Sequence, residues 1–390
     1  MFKIKTYNAI SNKGLDLFDR QHYDVAADCD TPDAYVLRSH KLHDEVIPAS
    51  VKAIARAGAG VNNIPVEQCT QAGVVVFNSP GANANAVKEL VLAGLLLSTR
   101  DIAGGMRYVQ TLTHLTTAEE MGQLLEKEKK NFVGHELYGR TLGVVGLGAI
   151  GAMVADMGLA LGMNVVGFDP ALSVEAAWKL SSQVEKMDSL QALLSRSDYV
   201  TLHVPAIAPT RHMINAQSLQ ALKSSAVLLN FARESIVDAA AVIASLDEGR
   251  MKTYVCDFPE PSLLGRADVL AMPHLGASTA EAEENCAVMA VEQLKDFLES
   301  GNIKNSVNFP PINLPRGDGY RITLVNQNVS GVLGNVLSIF TERRINVLDM
   351  LNKSRDDIAY SIIDVEQMPS VDVIEAIRQV ESVIAVRVLN

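Results

Sequence analysis

Three side chains in the second half of the chain have types and spacing suited to one chemistry. Arg233 follows Leu229-Asn230-Phe231-Ala232, Glu260 lies in Asp257-Phe258-Pro259-Glu260-Pro261, and His274 follows Met272-Pro273. A histidine, with an unperturbed pKa of about 6.5, is suited to taking a proton from a hydroxyl. A carboxylate against its other ring nitrogen fixes the tautomer and favours the imidazolium that results. An arginine fork holds a carboxylate at two points. Together the three fit a 2-hydroxy acid that loses its hydroxyl proton while hydride leaves the same carbon. Each falls at the end of an apolar run that reads as a strand: Val227 to Phe231, Thr253 to Asp257, and Asp268 to Met272. Successive strand ends on one edge of a sheet are where open α/β folds bind their ligands.

Departing hydride needs an acceptor, and residues 141–169 read as the place for one. The apolar run Thr141 to Val145 breaks into Gly146-Leu147-Gly148-Ala149-Ile150-Gly151, a helical run follows, and Asn164 to Phe168 ends in Asp169. This is strand, glycine turn, helix, strand, acid. Gly146 allows the tight turn, Gly148 lets backbone approach a pyrophosphate, and Gly151 lets the helix pack on the strand. The helix N-terminus offers unpaired N–H groups to the phosphates. Asp169 lies 18 residues past Gly151, close to the roughly 20-residue spacing of the acid that grips a ribose 2′-OH. An acid there repels a 2′-phosphate, so NAD is expected over NADP.

The 390 residues, 48% apolar and 20% charged, describe a soluble globular chain of two or three domains. A net charge of −11 without a basic block argues against nucleic acid and anionic membranes as partners. Cys29, Cys69, Cys256 and Cys286 show no metal-ligand or C-x-x-C spacing, so reduced thiols, no metal site and a cytoplasmic setting are expected. Residues 1–95 alternate short apolar runs with helical segments and lack a phosphate-loop fingerprint. Two charged strand ends stand out there: Arg38 and Ser39, and Arg56 with Gly60 and Val61. Their arginines and exposed backbone N–H groups suit an anion.

The long helical pattern from Ala277 to Ser300 could return to the N-terminal region, which makes that domain discontinuous. The expected division is 1–95 with 276–305, a nucleotide domain at 96–275, an Asn/Pro-rich linker at 306–318, and a last domain at 319–390. The last segment patterns as βαββαβ, a ferredoxin-like order. The fold class is therefore α/β: a Rossmann-type NAD-binding domain inserted in a flavodoxin-like substrate domain, followed by the small ferredoxin-like domain.

The motifs Gly-Leu-Gly-Ala-Ile-Gly, Asn-Phe-Ala-Arg with Val-Asp (230–238), Asp-Phe-Pro-Glu-Pro (257–261) and Pro-His-Leu-Gly-Ala-Ser-Thr (273–279) resemble those of the D-isomer-specific 2-hydroxyacid dehydrogenases. The resemblance implies substrate orientation by Arg233, Glu260 as the histidine's carboxylate partner, and acid/base work by His274. It also implies NAD contacts from Ala149, Ile150, Asp169, Phe231, Ala232, Asp257, Gly276 and Ala277. Arg38, Ser39, Arg56, Gly60 and Val61 match positions that hold a substrate's phosphate and carboxylate end, so a phosphorylated 2-hydroxy acid is the expected small-molecule partner. Another D-2-hydroxy acid, or a nucleotide-sensing protein without catalysis, is the alternative. The tail resembles an ACT regulatory domain. That likeness implies serine as effector, at Asn326, Asn328 and Asn346, and a homodimer or homotetramer. Two residues depart from the family pattern: Glu234 stands where glycine is usual after Arg233, and Asn326 where a histidine ligand is found in serine-inhibited relatives.

Overall fold

The computed structural model describes residues 1–389. The chain gathers into two compact units, Met1–Asn83 with Ala280–Asn390, and Ala84–Thr279. No helix among the described residues is long and apolar enough to cross a membrane.

The first unit opens with five strands: β1 (Phe2–Thr6), β2 (Tyr23–Ala26), β3 (Ala34–Leu37), β4 (Ala53–Arg56) and β5 (Val75–Phe77). All pair in parallel, in the order β2-β1-β3-β4-β5, the flavodoxin-like winding. β3, most of β4 and all of β5 are buried, as parallel strands covered on both faces must be. The parallel sense brings Tyr7, Arg38 and Arg56 to one edge, each at or just past a strand end.

The second unit holds β6 (Thr141–Val145), β7 (Asn164–Phe168), β8 (Glu185–Lys186), β9 (Tyr199–Leu202), β10 (Val227–Asn230), β11 (Thr253–Cys256) and β12 (Val269–Ala271). Their order is β12-β11-β10-β9-β6-β7-β8, parallel throughout. Counted from β6 this is 3-2-1-4-5-6-7, the doubly wound dinucleotide-binding order with one further strand. The sheet reverses direction at β6, whose carboxyl end carries the glycine turn. The helix Ala84–Thr99 belongs to this unit; its Gly94 lies against the Phe231 ring, where a Cβ would stand 2.9 Å from Cζ.

The first unit resumes with the 21-residue helix Ala280–Ser300. Its Cys286, Ala290, Val291, Leu294 and Phe297, at three- and four-residue spacing, share a core with Ile4, Val36, Ala55 and Phe77. The Asn/Pro-rich stretch that follows is tied down. Buried Asn308 accepts from the Val76 N–H (2.8 Å) and donates to the Val74 carbonyl (2.9 Å) and the Thr70 hydroxyl (3.0 Å). Four antiparallel strands close the chain: β13 (Tyr320–Gln327), β14 (Val347–Arg355), β15 (Ile358–Val365) and β16 (Val383–Leu389), ordered β14-β15-β13-β16. With helices Val332–Glu342 and Val371–Arg378 they make a βαββαβ, ferredoxin-like layer.

This layer shares the first unit's core. Val325, Ile358, Tyr360 and Ile362 pack with Phe77, Phe297 and Phe309. Three of its side chains also receive the carbonyls at the end of helix Ala280–Ser300. Fully buried Arg321 donates to the Ser300 carbonyl (2.9 Å) and makes two 2.7 Å bonds with Asp364. Arg387 donates to Phe297 (3.0 Å) and Leu298 (3.3 Å), and the Tyr360 hydroxyl to Gly301 (2.8 Å). A helix leaves its last four carbonyls unpaired, at the negative end of its dipole. Two guanidinium groups answer both needs.

Candidate active site

The glycine turn needs its glycines for steric reasons. Gly146 has φ +89°, and a Cβ there would stand 2.7 Å from the His203 carbonyl oxygen. A Cβ on Gly151 would stand 1.9 Å from the Gly146 carbonyl oxygen. Gly148 has nothing within 4 Å of a Cβ, and no side chain caps helix Ala149–Ala160 at that residue. The helix N-terminus is therefore uncapped by any side chain and uncrowded at Gly148, as close approach of a pyrophosphate requires. The Asp169 carboxylate accepts from the Leu147 N–H (2.8 Å) and the Ala171 N–H (2.9 Å), which fixes it at the turn. These features fit a dinucleotide: an open backbone cradle, a positive helix end, and an acid held beside them.

His203, just past β9, escaped sequence reasoning. Burial pushes its imidazole down to about 3, so it is neutral, and its Nε2 lies 2.9 Å from the Thr201 hydroxyl. No local pattern marks it, because the burial comes from the wall of the glycine turn.

At the ends of β10 to β12 the structure gathers most of the expected set. Buried Asn230 shapes the turn into Arg233: its Oδ1 accepts from the Ala232 N–H (3.1 Å) and its Nδ2 donates to the Arg233 carbonyl (2.9 Å). Asp257, 1% exposed, spends its carboxylate on the loop that carries His274. It accepts from the Leu275 N–H (2.7 Å) and the Gly276 N–H (2.8 Å), while its carbonyl accepts from the His274 N–H (3.0 Å). His274 is thereby held at φ +58°, a conformation uncommon for a residue with a side chain. Its exposed ring lies 4.5 Å from the Phe258 ring, and the Arg233 guanidinium carbon lies 5.4 Å from the centre of that same ring. Phe258 meets both groups only because three strand ends come together, which no local pattern in the sequence marks. Phe231 is buried and Ala232 and Ala277 are partly buried.

The expected bond between Glu260 and His274 is not made. Among the described residues neither a hydrogen bond nor an ion pair joins them. Pro259 and Pro261 flank Glu260, which enters the short turn Pro261–Leu263 in extended backbone with its side chain exposed. Two rings with fixed φ leave that segment little freedom to bend back.

In the first unit, the ends of β1, β3 and β4 form a polar cluster. Asn8, at φ +67°, accepts from the N–H groups of Ser39 (3.1 Å) and His40 (2.8 Å). Arg56 donates from Nε to the Arg38 carbonyl (3.0 Å), and the Asn63 amide donates to the same oxygen (3.2 Å) and to the His40 carbonyl (2.6 Å). The Arg38 guanidinium pairs with Glu283, 2.5 Å away on helix Ala280–Ser300. His40 stacks on Tyr7 at 4.3 Å, and both reach Glu45, at 2.5 and 2.9 Å. Partial burial works to raise the Glu45 carboxyl, but the bonds from His40 and Tyr7 outweigh it and hold the group below the usual range. Gly60 and Val61 lie on the loop after β4, where the Val61 carbonyl accepts from Ile64 (3.0 Å).

The three effector candidates are not brought together. Asn326 lies near the end of β13, opposite Ala359, and β14 pairs Ser354 with that same Ala359. Asn346 precedes the far end of β14, where its carbonyl accepts from the Glu366 N–H at 3.0 Å. Eight residues of strand at about 3.3 Å each put roughly 25 Å between the two places. Asn326 is buried with its Oδ1 unbonded, and Asn328 donates to the Asp356 carbonyl at 3.1 Å.

Residues 99–276 match the family model for the D-isomer specific 2-hydroxyacid dehydrogenase, NAD binding domain. The chain is 34% identical over 328 residues to a D-3-phosphoglycerate dehydrogenase of Methanocaldococcus jannaschii, covering 82% of this chain and 59% of that protein. It is 30% identical over 367 residues to the D-3-phosphoglycerate dehydrogenase of Haemophilus influenzae, covering 90% of this chain and 85% of the relative. The fold is also that of a cofactor (NAD+) bound 3-phosphoglycerate dehydrogenase of Entamoeba histolytica, at TM-score 0.60 and 23% identity, over 79% of this chain and 98% of that one. This chain belongs to the D-isomer specific 2-hydroxyacid dehydrogenase family. Its cofactor is NAD. The chain spans less than two thirds of the length of the Methanocaldococcus jannaschii relative (59%) and of a D-3-phosphoglycerate dehydrogenase of Synechocystis (49%, at 36% identity over 287 residues).

Proposed function

We propose that this chain oxidises D-3-phosphoglycerate to 3-phosphohydroxypyruvate, the entry reaction of L-serine synthesis. The observation that supports this most is the convergence of Arg233 and His274 on one ring at the strand ends of the NAD-binding unit. NAD, when bound, accepts the hydride from C2. The chain's residues do the rest. His274 takes the hydroxyl proton as the carbonyl forms, and Arg233 holds the substrate carboxylate and offers positive charge to the developing oxygen. Gly146, Gly148, Gly151, Ala149, Ile150 and Asp169 hold the dinucleotide. Arg38, Ser39, Arg56 and the Gly60–Val61 backbone take the phosphate end, with the incoming anion competing with Glu283 for Arg38.

The test is NAD reduction with D-3-phosphoglycerate, D-glycerate and D-lactate as substrates. His274→Ala is expected to lower kcat by about 10²–10⁴-fold, the usual share of a general base. Full activity in that variant, or a preference for D-lactate, refutes the reading.

The ferredoxin-like layer is read as an ACT-type regulatory domain that binds serine across a homo-oligomer. The opposed placement of Asn326 and Asn346 supports a twofold arrangement. β14 is an edge strand with Leu348 and Met350 exposed, and antiparallel pairing with a second copy brings Asn326 and Asn328 of one chain to Asn346 of the other. Initial rates measured against serine up to millimolar levels are expected to fall; flat rates refute this part alone.

A further inference from the structure

We infer that Phe258 is a positioning residue for the dehydrogenase chemistry: its ring is the platform that sets the His274 imidazole and the Arg233 guanidinium against one another. The inference rests on the proposed role of His274 as proton acceptor.

His274 is exposed, and among the described residues neither of its ring nitrogens has a hydrogen-bond partner. A ring in that state samples several staggered χ1 wells and a broad range of χ2 unless something packs against it. Phe258 does so, with centroids 4.5 Å apart and planes tilted by 50°. The same ring accepts the Arg233 guanidinium at 5.4 Å, within the roughly 6 Å reach of a cation–π contact. Phe258 is itself held through its neighbour. Asp257 is buried, and it takes the N–H groups of Leu275 and Gly276 on its side chain and that of His274 on its carbonyl. One dipeptide therefore governs both the backbone of His274, through Asp257, and the direction of its ring, through Phe258. The carboxylate that sequence resemblance assigns to this duty, Glu260, makes no bond to the imidazole. An aromatic face also favours a cation beside it, so it assists the imidazolium formed when the hydroxyl proton is captured.

Phe258→Leu keeps most of the volume and removes the flat face; Phe258→Tyr keeps the face. Both are assayed as the full chain with NAD and D-3-phosphoglycerate, unlabelled and deuterated at C2. Misalignment of a reacting group by about 1 Å costs on the order of 10²-fold. Phe258→Leu is therefore expected to lower kcat about ten- to a hundred-fold, with the KM for NAD within about twofold of wild type. The deuterium isotope effect on kcat should grow, because the transfer step becomes limiting. Phe258→Tyr should recover most of the rate. Wild-type kcat and isotope effect in Phe258→Leu overturn the inference. So does a loss of rate that tracks thermal stability and NAD affinity and is not recovered by Phe258→Tyr. His274→Ala run alongside separates the two levels. Full activity there defeats the catalytic reading itself, whatever Phe258 does.

Discussion

Asp257→Asn tests how the His274 loop is held. The native carboxylate accepts two backbone N–H groups, from Leu275 at 2.7 Å and Gly276 at 2.8 Å, in a site only 1% exposed. Hydrogen bonds to a charged group contribute about 1.5–3 kcal/mol each. Asparagine keeps one oxygen and turns an NH₂ toward the other N–H group, so one bond is lost and a buried donor is left facing a donor. The loop already carries His274 at φ +58°, a strain of order 1–3 kcal/mol that those bonds offset. The net expectation is about 1.5–3 kcal/mol less resistance to opening, or roughly a ten- to hundred-fold higher open population. Hydrogen exchange on a peptide spanning residues 272–279 reads this directly, and kcat should fall with it. If the Leu275 and Gly276 amides exchange at the native rate, the carboxylate is not what holds the loop, and the account of His274 positioning fails.

Two further outcomes follow from groups withdrawn from water, one partly and one fully. His203 titrates at about 3 in the folded chain, against an ordinary 6.5, because burial disfavours its charged form. Between those values the unfolded chain binds a proton that the folded one does not, so stability falls as pH drops from 6.5 toward 3, by up to about 1.4 kcal/mol per pH unit. Urea midpoints measured from pH 7 to 5 should decline, His203→Gln should flatten the decline, and an identical slope in the variant refutes the assignment. Arg321→Met leaves Asp364 buried without its partner and should cost about 3–5 kcal/mol, most of it regained by adding Asp364→Leu. A urea-unfolding loss below about 1 kcal/mol in the single variant would show that the buried pair is not needed.

Elements with strong local signals were legible. The runs Thr141–Val145 and Asn164–Phe168 are strands at the bounds their apolar patterns suggest. The charge-dense stretch after residue 118 is a helix with no buried residue, Ala118–Glu128. The helix Ala84–Thr99 extends its apolar run by a turn at the start. By contrast β8, Glu185–Lys186, has no apolar run to announce it; it adds to a sheet edge through backbone pairing with β7. In the candidate sites, Asn8, Asn63, His203 and Phe258 were missed for a shared reason. Each meets groups many residues away, Gly146 in the case of His203, and no spacing rule links Asn63 to the carbonyl of Arg38.

What one-dimensional order settled here is whatever depends on near neighbours. Strand and helix periods, the glycine turn with its crowded Gly146 and Gly151, and the acid that ends the next strand are all local, because backbone sterics act over a few residues. What folding alone decided is which distant side chains meet. Sheet order took Asn346 some 25 Å from Asn326. Glu260 ended exposed and without a bond to His274, and three converging strand ends put Phe258 against both Arg233 and His274. Contacts of that kind are set by how strands pair across the sheet, and pairing partners are chosen by the packing of the whole unit rather than by any short stretch of the chain.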